Sequence, residues 1–277
     1  MNALKIKEDR LREIVRSFER CIIAFSGGVD SALVAAIATE ELGDRALAVT
    51  GVSPSLPRSE REAAVAFARG IGARHELLET HELEDERYAE NPANRCYFCK
   101  SELFERLGPF AAARGFVTIA DGLNADDLSE VRFGRRAAEE RGIRSPLAEA
   151  GFTKSEVRAL ARERNLAVWD KPAAACLSSR FPTGTQITRE LLERVEAAEA
   201  VLAELGLREF RVRHHGEIAR IEVALEAFDI VMREREGILR GVRAAGYRFV
   251  SLDLGGYVRG AVAATHDDGT IDLVSLR

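Results

Sequence analysis

Short apolar runs alternate with amphipathic stretches through the first two thirds of the chain. Residues 4–19 place Leu4, Leu11, Ile14, Val15 and Phe18 on one face of a 3.6-residue period, which predicts an amphipathic helix. Residues 21–25, CIIAF, are apolar throughout, the pattern of a strand buried on both faces of a parallel sheet. A glycine turn, a helix over 31–42 ended by Gly43 and a second buried strand at 46–52 follow. The pattern repeats with helix 58–71, strand 74–79, helix 100–114 and strand 116–121, and a Cys-x-x-Cys loop precedes helix 100–114. Such alternation predicts an α/β fold with a doubly wound, mostly parallel sheet. Thr153 and Glu156, three apart, form a capping box that opens a helix over 153–165.

Residues 180–187 read as a linker, and the pattern then changes. Helix 188–205, strands 208–214 and 217–224 joined at His215-Gly216, helix 226–245 and strand 247–253 predict a smaller α+β domain. The expected division is 1–180 and 181–277.

Composition narrows the function classes. Hydrophobic residues make up 46% and charged residues 31%, which excludes disorder over most of the chain. A net charge of −5 argues against nucleic-acid binding through a global basic field. Four cysteines in 277 residues do not make a secreted disulfide scaffold. The charged N-terminus has no apolar core of a signal peptide, and no apolar run reaches the ~20 residues that span a bilayer. The expected compartment is a reducing cytoplasm, with no membrane partner. The apolar strand faces of the C-terminal unit leave self-association open.

The strongest motif is Ser26-Gly27-Gly28-Val29-Asp30-Ser31, between the first buried strand and the first following helix. Glycines let the backbone approach a phosphate, and the helix start offers unpaired N–H groups. Ser26 and Ser31 add hydroxyls. Asp30 repels a phosphate unless a cation lies between, which implies Mg²⁺. There is no Gly-Lys-Ser/Thr, so this is not a Walker A loop. The hexapeptide resembles the PP-loop, SGGxDS, of ATP pyrophosphatases with a HUP-like fold, which cleave ATP between the α and β phosphates. A second segment, Asp121-Gly122-Leu123-Asn124-Ala125-Asp126-Asp127, follows strand 116–121 and so shares the carboxyl edge of the sheet. Gly122 is a candidate for ATP contact, and Asp126 for Mg²⁺.

Cys21 starts a buried strand and reads as a core residue. Cys96, Cys99 and Cys176 are too few for a four-thiolate zinc site. They suit an iron–sulfur cluster with one open iron, or a redox pair plus a nucleophile. Lys171 and Arg180 flank Cys176, and cations favour a thiolate.

Asp170-Lys171-Pro172, Cys176-Leu177-Ser178-Ser179-Arg180, Arg211-Val212-Arg213-His214-His215-Gly216 and Ala219-Arg220-Ile221-Glu222-Val223 resemble the LarE family over essentially the whole length. That resemblance implies an ATP-dependent sulfur transferase of nickel-pincer nucleotide synthesis, the cofactor of lactate racemase. It implies a small-molecule substrate, pyridinium-3,5-biscarboxylic acid mononucleotide, whose carboxylates are adenylated and become thiocarboxylates. In single-cysteine members the residue matching Cys176 gives up its own sulfur and becomes dehydroalanine. Members that also carry Cys-x-x-Cys resemble cluster enzymes, so Cys96, Cys99 and Cys176 are expected to hold a 4Fe-4S cluster that carries the extra sulfide. The sulfide donor is not specified.

The resemblance makes Arg211 and Arg213 anchors for the substrate's phosphate, for which planar guanidinium groups are suited. Tyr97 is a candidate to stack on the pyridinium ring. Glu199 and Glu222 are candidates for holding a divalent ion or orienting Arg211, and Arg180 for stabilising the departing AMP. Two rivals remain. A tRNA thiolase would share the loop and the cysteines but wants an RNA-binding module and a basic surface. An amide-forming synthetase would want a source of ammonia and leaves the cysteines unexplained.

Overall fold

A computed structural model describes residues 3–128, 133–172 and 175–258. In chain order the elements are α1 (Ala3–Arg16), β1 (Cys21–Ala24), α2 (Val29–Leu42), β2 (Ala46–Val52), α3 (Arg58–Gly70), β3 (His75–Glu79), α4 (Glu86–Ala89), α5 (Arg95–Ala112), β4 (Thr118–Ala120), α6 (Phe133–Glu139), α7 (Pro146–Glu149) and α8 (Lys154–Glu163). There follow α9 (Arg189–Glu204), β5 (Phe210–His215), β6 (Ile218–Val223), α10 (Phe228–Arg233), α11 (Arg235–Ala244) and β7 (Phe249–Leu252). Two compact units result: one draws on Met1–Asp85 and Asn94–Ala174, the other on Glu86–Ala93 and the chain from Ala175 onward. The last residues of the expected C-terminal domain, 259–277, lie outside the described residues.

The first unit is a four-stranded sheet of order β3-β2-β1-β4, with every neighbouring pair parallel. β1 is buried at all four positions and β2 at its first five, because helices cover both faces. Leu33 and Ile37 of α2 are fully buried, and α2 packs on α1, α8 and the strands. Each such side chain contributes about 1.5–3 kcal/mol. Ile22, Leu47, Phe104 and Leu107 form the core on the sheet's other face. The capping box at Thr153 is present, with the Glu156 amide donating to the Thr153 hydroxyl and the Thr153 amide to the Glu156 carboxylate.

The second unit is a three-stranded sheet of order β5-β6-β7, with β5–β6 antiparallel and β6–β7 parallel. The hairpin register pairs Arg211 with Glu222 and Arg213 with Arg220. Val212, His214, Ala219 and Ile221 are buried, on the face opposite these charges. Segment 86–93 belongs here through hydrogen bonds: Tyr88 meets the Ser178 hydroxyl at 2.6 Å, and the Ile187 amide donates to the Ala89 carbonyl at 2.7 Å.

Two expectations need correction. Cys96 and Cys99 lie inside α5, which starts at Arg95, and not in a loop ahead of it. Cys, Tyr and Phe are weak helix formers and Asn94 makes no side-chain cap, so no local signal marks this start. The helix expected over 226–245 is divided into α10 and α11, meeting at Glu234. Among the described residues no helix is long and apolar enough to cross a membrane.

Candidate active site

The phosphate loop leaves β1 and enters α2. Gly27 has φ +74°, and a Cβ there would lie 3.2 Å from that of Ala64, so glycine is required twice over. Gly28 stands at the N-cap of α2, leaving the first amides of the helix open to an anion. Ser31 Oγ donates to the Gly28 carbonyl at 3.1 Å and accepts from the Ser26 amide at 3.2 Å, which pins the turn. The two hydroxyls of Ser26 and Ser31 are 3.1 Å apart.

A cavity of about 490 Å³ opens on this loop. Asp30, Asp121 and Asp127 supply carboxylates to its lining, and Lys100 and Arg135 supply cations. Cys96 also lines it. Gly122 packs against the first turn of α2 so closely that a Cβ would sit 2.6 Å from the Ser31 nitrogen. Asp121 is buried and accepts from the Leu123 amide at 3.1 Å and the Ser145 hydroxyl at 2.8 Å. Burial holds its pKa above the ordinary aspartate value. Asp126 does not line the cavity; one of its oxygens accepts from the Lys154 amide at 2.8 Å. Hard carboxylate oxygens beside a phosphate-binding turn fit Mg²⁺ brought by a nucleotide.

Three residues of this site, Lys154, Lys100 and Arg135, carried no sequence motif, whereas Asn124 lies in the second segment. Lys154 Nζ pairs with Asp30, and Asn124 Nδ2 donates to the other oxygen of Asp30 at 3.3 Å. Lys100 and Arg135 enter from α5 and α6. Lys154 alone left a local signal, a cation in the first turn of a capped helix, where the dipole disfavours it. Lys171, read from sequence as a charge near Cys176, holds Glu60 at 2.7 Å and the Gly27 carbonyl at 3.2 Å.

Cys96 and Cys99 stand three apart on α5, so they share a face. Cys96 is exposed and Cys99 half-buried. Between them Tyr97 donates to Glu140 at 2.6 Å, and Arg136 sits 5.3 Å from the centre of its ring. Among the described residues no three His, Cys, Asp or Glu side chains are assembled as a metal-binding group.

In the second unit, Cys176 is half-buried at the start of a 3₁₀ turn, Leu177–Arg180. Arg180 is buried, forms a two-pronged pair with Glu199 and donates to the carbonyls of Ala175 and Cys176 at 2.7 and 2.9 Å. Glu199 also accepts from the Val212 amide at 3.0 Å, tying α9 to β5. Glu222 is buried between Arg213, at 3.0 Å, and Arg220, at 2.8 Å, so it orients those two and not Arg211. Arg213 donates to the Ser179 carbonyl at 2.8 Å. Arg211 lies 5.2 Å above the ring of Tyr257. Burial, and then the charge of Arg180, lower its pKa, so an anion brought here would be stabilised. A small void of about 20 Å³ beside Ser179, Thr183, Arg213, His215 and Arg220 is water-sized.

Comparison with known proteins places the chain in a family. A family model described as asparagine synthase matches residues 8–94, the part that holds the phosphate loop. An uncharacterized protein of Synechocystis is 47% identical over 262 residues, covering 93% of this chain and 97% of the relative. The pyridinium-3,5-bisthiocarboxylic acid mononucleotide synthase of Lactiplantibacillus plantarum is 36% identical over 266 residues, 96% of each chain. An uncharacterized protein of Methanocaldococcus jannaschii is 30% identical over 251 residues, covering 91% of this chain and 95% of the relative. With a PP-loop at the carboxyl edge of a parallel sheet and this likeness running through both units, the chain belongs to the LarE family and is an ATP-dependent sulfurtransferase.

Proposed function

We propose that the chain adenylates a carboxylate of pyridinium-3,5-biscarboxylic acid mononucleotide and converts it to the thiocarboxylate used in the nickel-pincer cofactor of lactate racemase. The observation that carries this reading is the cavity of the first unit, where an open helix N-terminus and three carboxylates face one space. In the first step a substrate carboxylate oxygen attacks the α-phosphorus of ATP, and pyrophosphate leaves. In the second, a sulfur nucleophile attacks the acyl carbon and AMP leaves with the bonding electrons. Ser26, Gly27, Gly28, Ser31 and Gly122 serve the nucleotide. Asp30, with Asp121 and Asp127 or with Asp126, serves its Mg²⁺.

The second unit is assigned the substrate's phosphate. Arg211 and Arg213 lie on one face of its sheet, and Glu222 fixes the guanidinium plane of Arg213. Arg180 and Glu199 are assigned to shaping the Cys176 turn. Tyr97 is assigned to the pyridinium ring, which would displace Arg136 from its face.

The family likeness, together with three cysteines outside the core, supports a cluster with one open iron. Cys96, Cys99 and Cys176 would hold it, and when bound it supplies the sulfur donor. The residues' own part is to remain thiolates, which agrees with a reducing cytoplasm.

The test is anaerobic turnover with ATP, Mg²⁺, sulfide and the pyridinium dicarboxylate mononucleotide, weighing chain and product together. A thiocarboxylate over several turnovers with an unchanged chain is expected. A chain lighter by one H₂S would replace the cluster route with sacrifice of the Cys176 sulfur. No thiocarboxylate under any condition would reject the substrate, and a salt-dependent tRNA gel shift would then test the thiolase reading.

A further inference from the structure

Lys154 begins α8, where a positive charge opposes the helix dipole. Its ammonium nevertheless reaches Asp30 of the phosphate loop, 124 positions away in sequence. The backbone around it is held in place. The Lys154 amide donates to Asp126 Oδ2 at 2.8 Å, and the Asp126 amide donates to Asn124 Oδ1 at 3.0 Å. Asn124 in turn donates its Nδ2 to the second oxygen of Asp30 at 3.3 Å. One frame, residues 124–126 and the start of α8, therefore occupies both oxygens of Asp30.

Two other cations near the loop are engaged elsewhere, and Lys100, which lines the same cavity, lies over the Phe104 ring and acts on Asp121. Lys171 is held by Glu60 and the Gly27 carbonyl, and Arg135 by Glu139 and the Leu128 carbonyl. The charge on Asp30 is thus answered by Lys154, on the residue assigned above to the nucleotide's Mg²⁺.

We propose that Lys154 is the resident counter-ion of Asp30: it keeps free divalent cations off the empty loop and gives way when the cation arrives on the triphosphate. The ammonium carries one charge on a flexible stem and the Lys154 side chain is 40% exposed, so the pair is weak and withdrawal costs little. A divalent ion that already shares its charge with phosphate oxygens needs only one or two protein carboxylates. The proposal rests on ATP use by the loop and not on the identity of the sulfur acceptor.

The test uses Mn²⁺ as the probe, followed by the electron paramagnetic resonance of the free ion. Wild type is expected to retain little Mn²⁺ alone and to bind it with α,β-methylene-ATP. Lys154→Gln is expected to bind Mn²⁺ alone about five-fold tighter, the size of a part-exposed ion pair. Lys154→Arg should return to wild-type behaviour, and Asp30→Asn with Lys154→Gln should lose the gain. Equal Mn²⁺ binding by wild type and Lys154→Gln would overturn the proposal, as would a gain that survives loss of Asp30. Tight binding by wild type without nucleotide would overturn it with no variant needed. These are binding readouts, so they succeed or fail independently of sulfur transfer.

Discussion

Arg180 and Glu199 meet through two parallel contacts, Nε to Oε1 and Nη2 to Oε2, each 2.9 Å long. The Arg180 side chain is 4% exposed and that of Glu199 12%, so water screens neither. Since Nη1 holds the Ala175 and Cys176 carbonyls, the pair sets the backbone of the turn that presents Cys176.

Glu199→Ala leaves a buried guanidinium without its carboxylate. The expected loss in unfolding free energy is about 3–5 kcal/mol. Urea denaturation followed by the circular dichroism of the helices measures it. An unchanged midpoint would show that the pair does not hold the turn.

Gly122→Ala places a methyl group 2.6 Å from the Ser31 nitrogen, a clash with backbone that only a shift of the chain relieves. The overpacking is expected to cost about 1–3 kcal/mol and to push α2 away from the nucleotide. ATP binding by calorimetry should weaken about ten-fold or more. Unaltered affinity would mean that the loop tolerates the shift.

Arg211→Gln removes a half-buried cation from the charged face of the second sheet. If it anchors a phosphate, the KM for the mononucleotide should rise about ten- to hundred-fold, the value of a hydrogen bond to a charged group. Pyrophosphate release at saturating substrate should change much less. A kcat loss with KM unchanged would move Arg211 to another role.

Stability should fall on acidification. His214 bonds Tyr247 at 3.1 Å, and burial holds its pKa below the ordinary value of 6.5. The unfolded chain therefore binds a proton at a pH where the folded chain does not. The contribution is fully present above pH 6.5 and is lost as pH falls from there through the lower folded value. Urea titrations at stepped pH should show this slope in wild type and a shallower one in His214→Gln. Identical slopes would assign the effect to other groups.

Native-state alkylation should rank the cysteines. Cys96 is exposed, Cys99 and Cys176 are half-buried, and Cys21 is buried with its thiol pushed up to about 12. Iodoacetamide followed by peptide mass mapping should label Cys96 first and Cys21 only after unfolding. Early labelling of Cys21 would contradict its place in the core.

How much of this was legible depends on range. The runs at 21–25 and 46–52 read directly as β1 and β2, because a strand covered on both faces leaves no polar position. The capping box at Thr153 was equally plain, since both of its bonds lie within four residues. The start of α5 was not, because Asn94 makes no side-chain cap and the first turn has weak helix formers. The hexapeptide located the nucleotide site, yet nothing in its letters named the cation that stands on Asp30.

The sequence by itself determined the parallel sheet, the phosphate loop at its carboxyl edge and the family, because these rest on local periodicity and on residue types at short spacings. Tertiary structure alone decided which charges meet. Lys154 reaches Asp30 across 124 positions, Lys171 meets Glu60 across 111, and Glu222 serves Arg213 and Arg220. Ion pairing has no period and no local grammar: it is set by which side chains the packed elements bring within reach, and in what depth of burial.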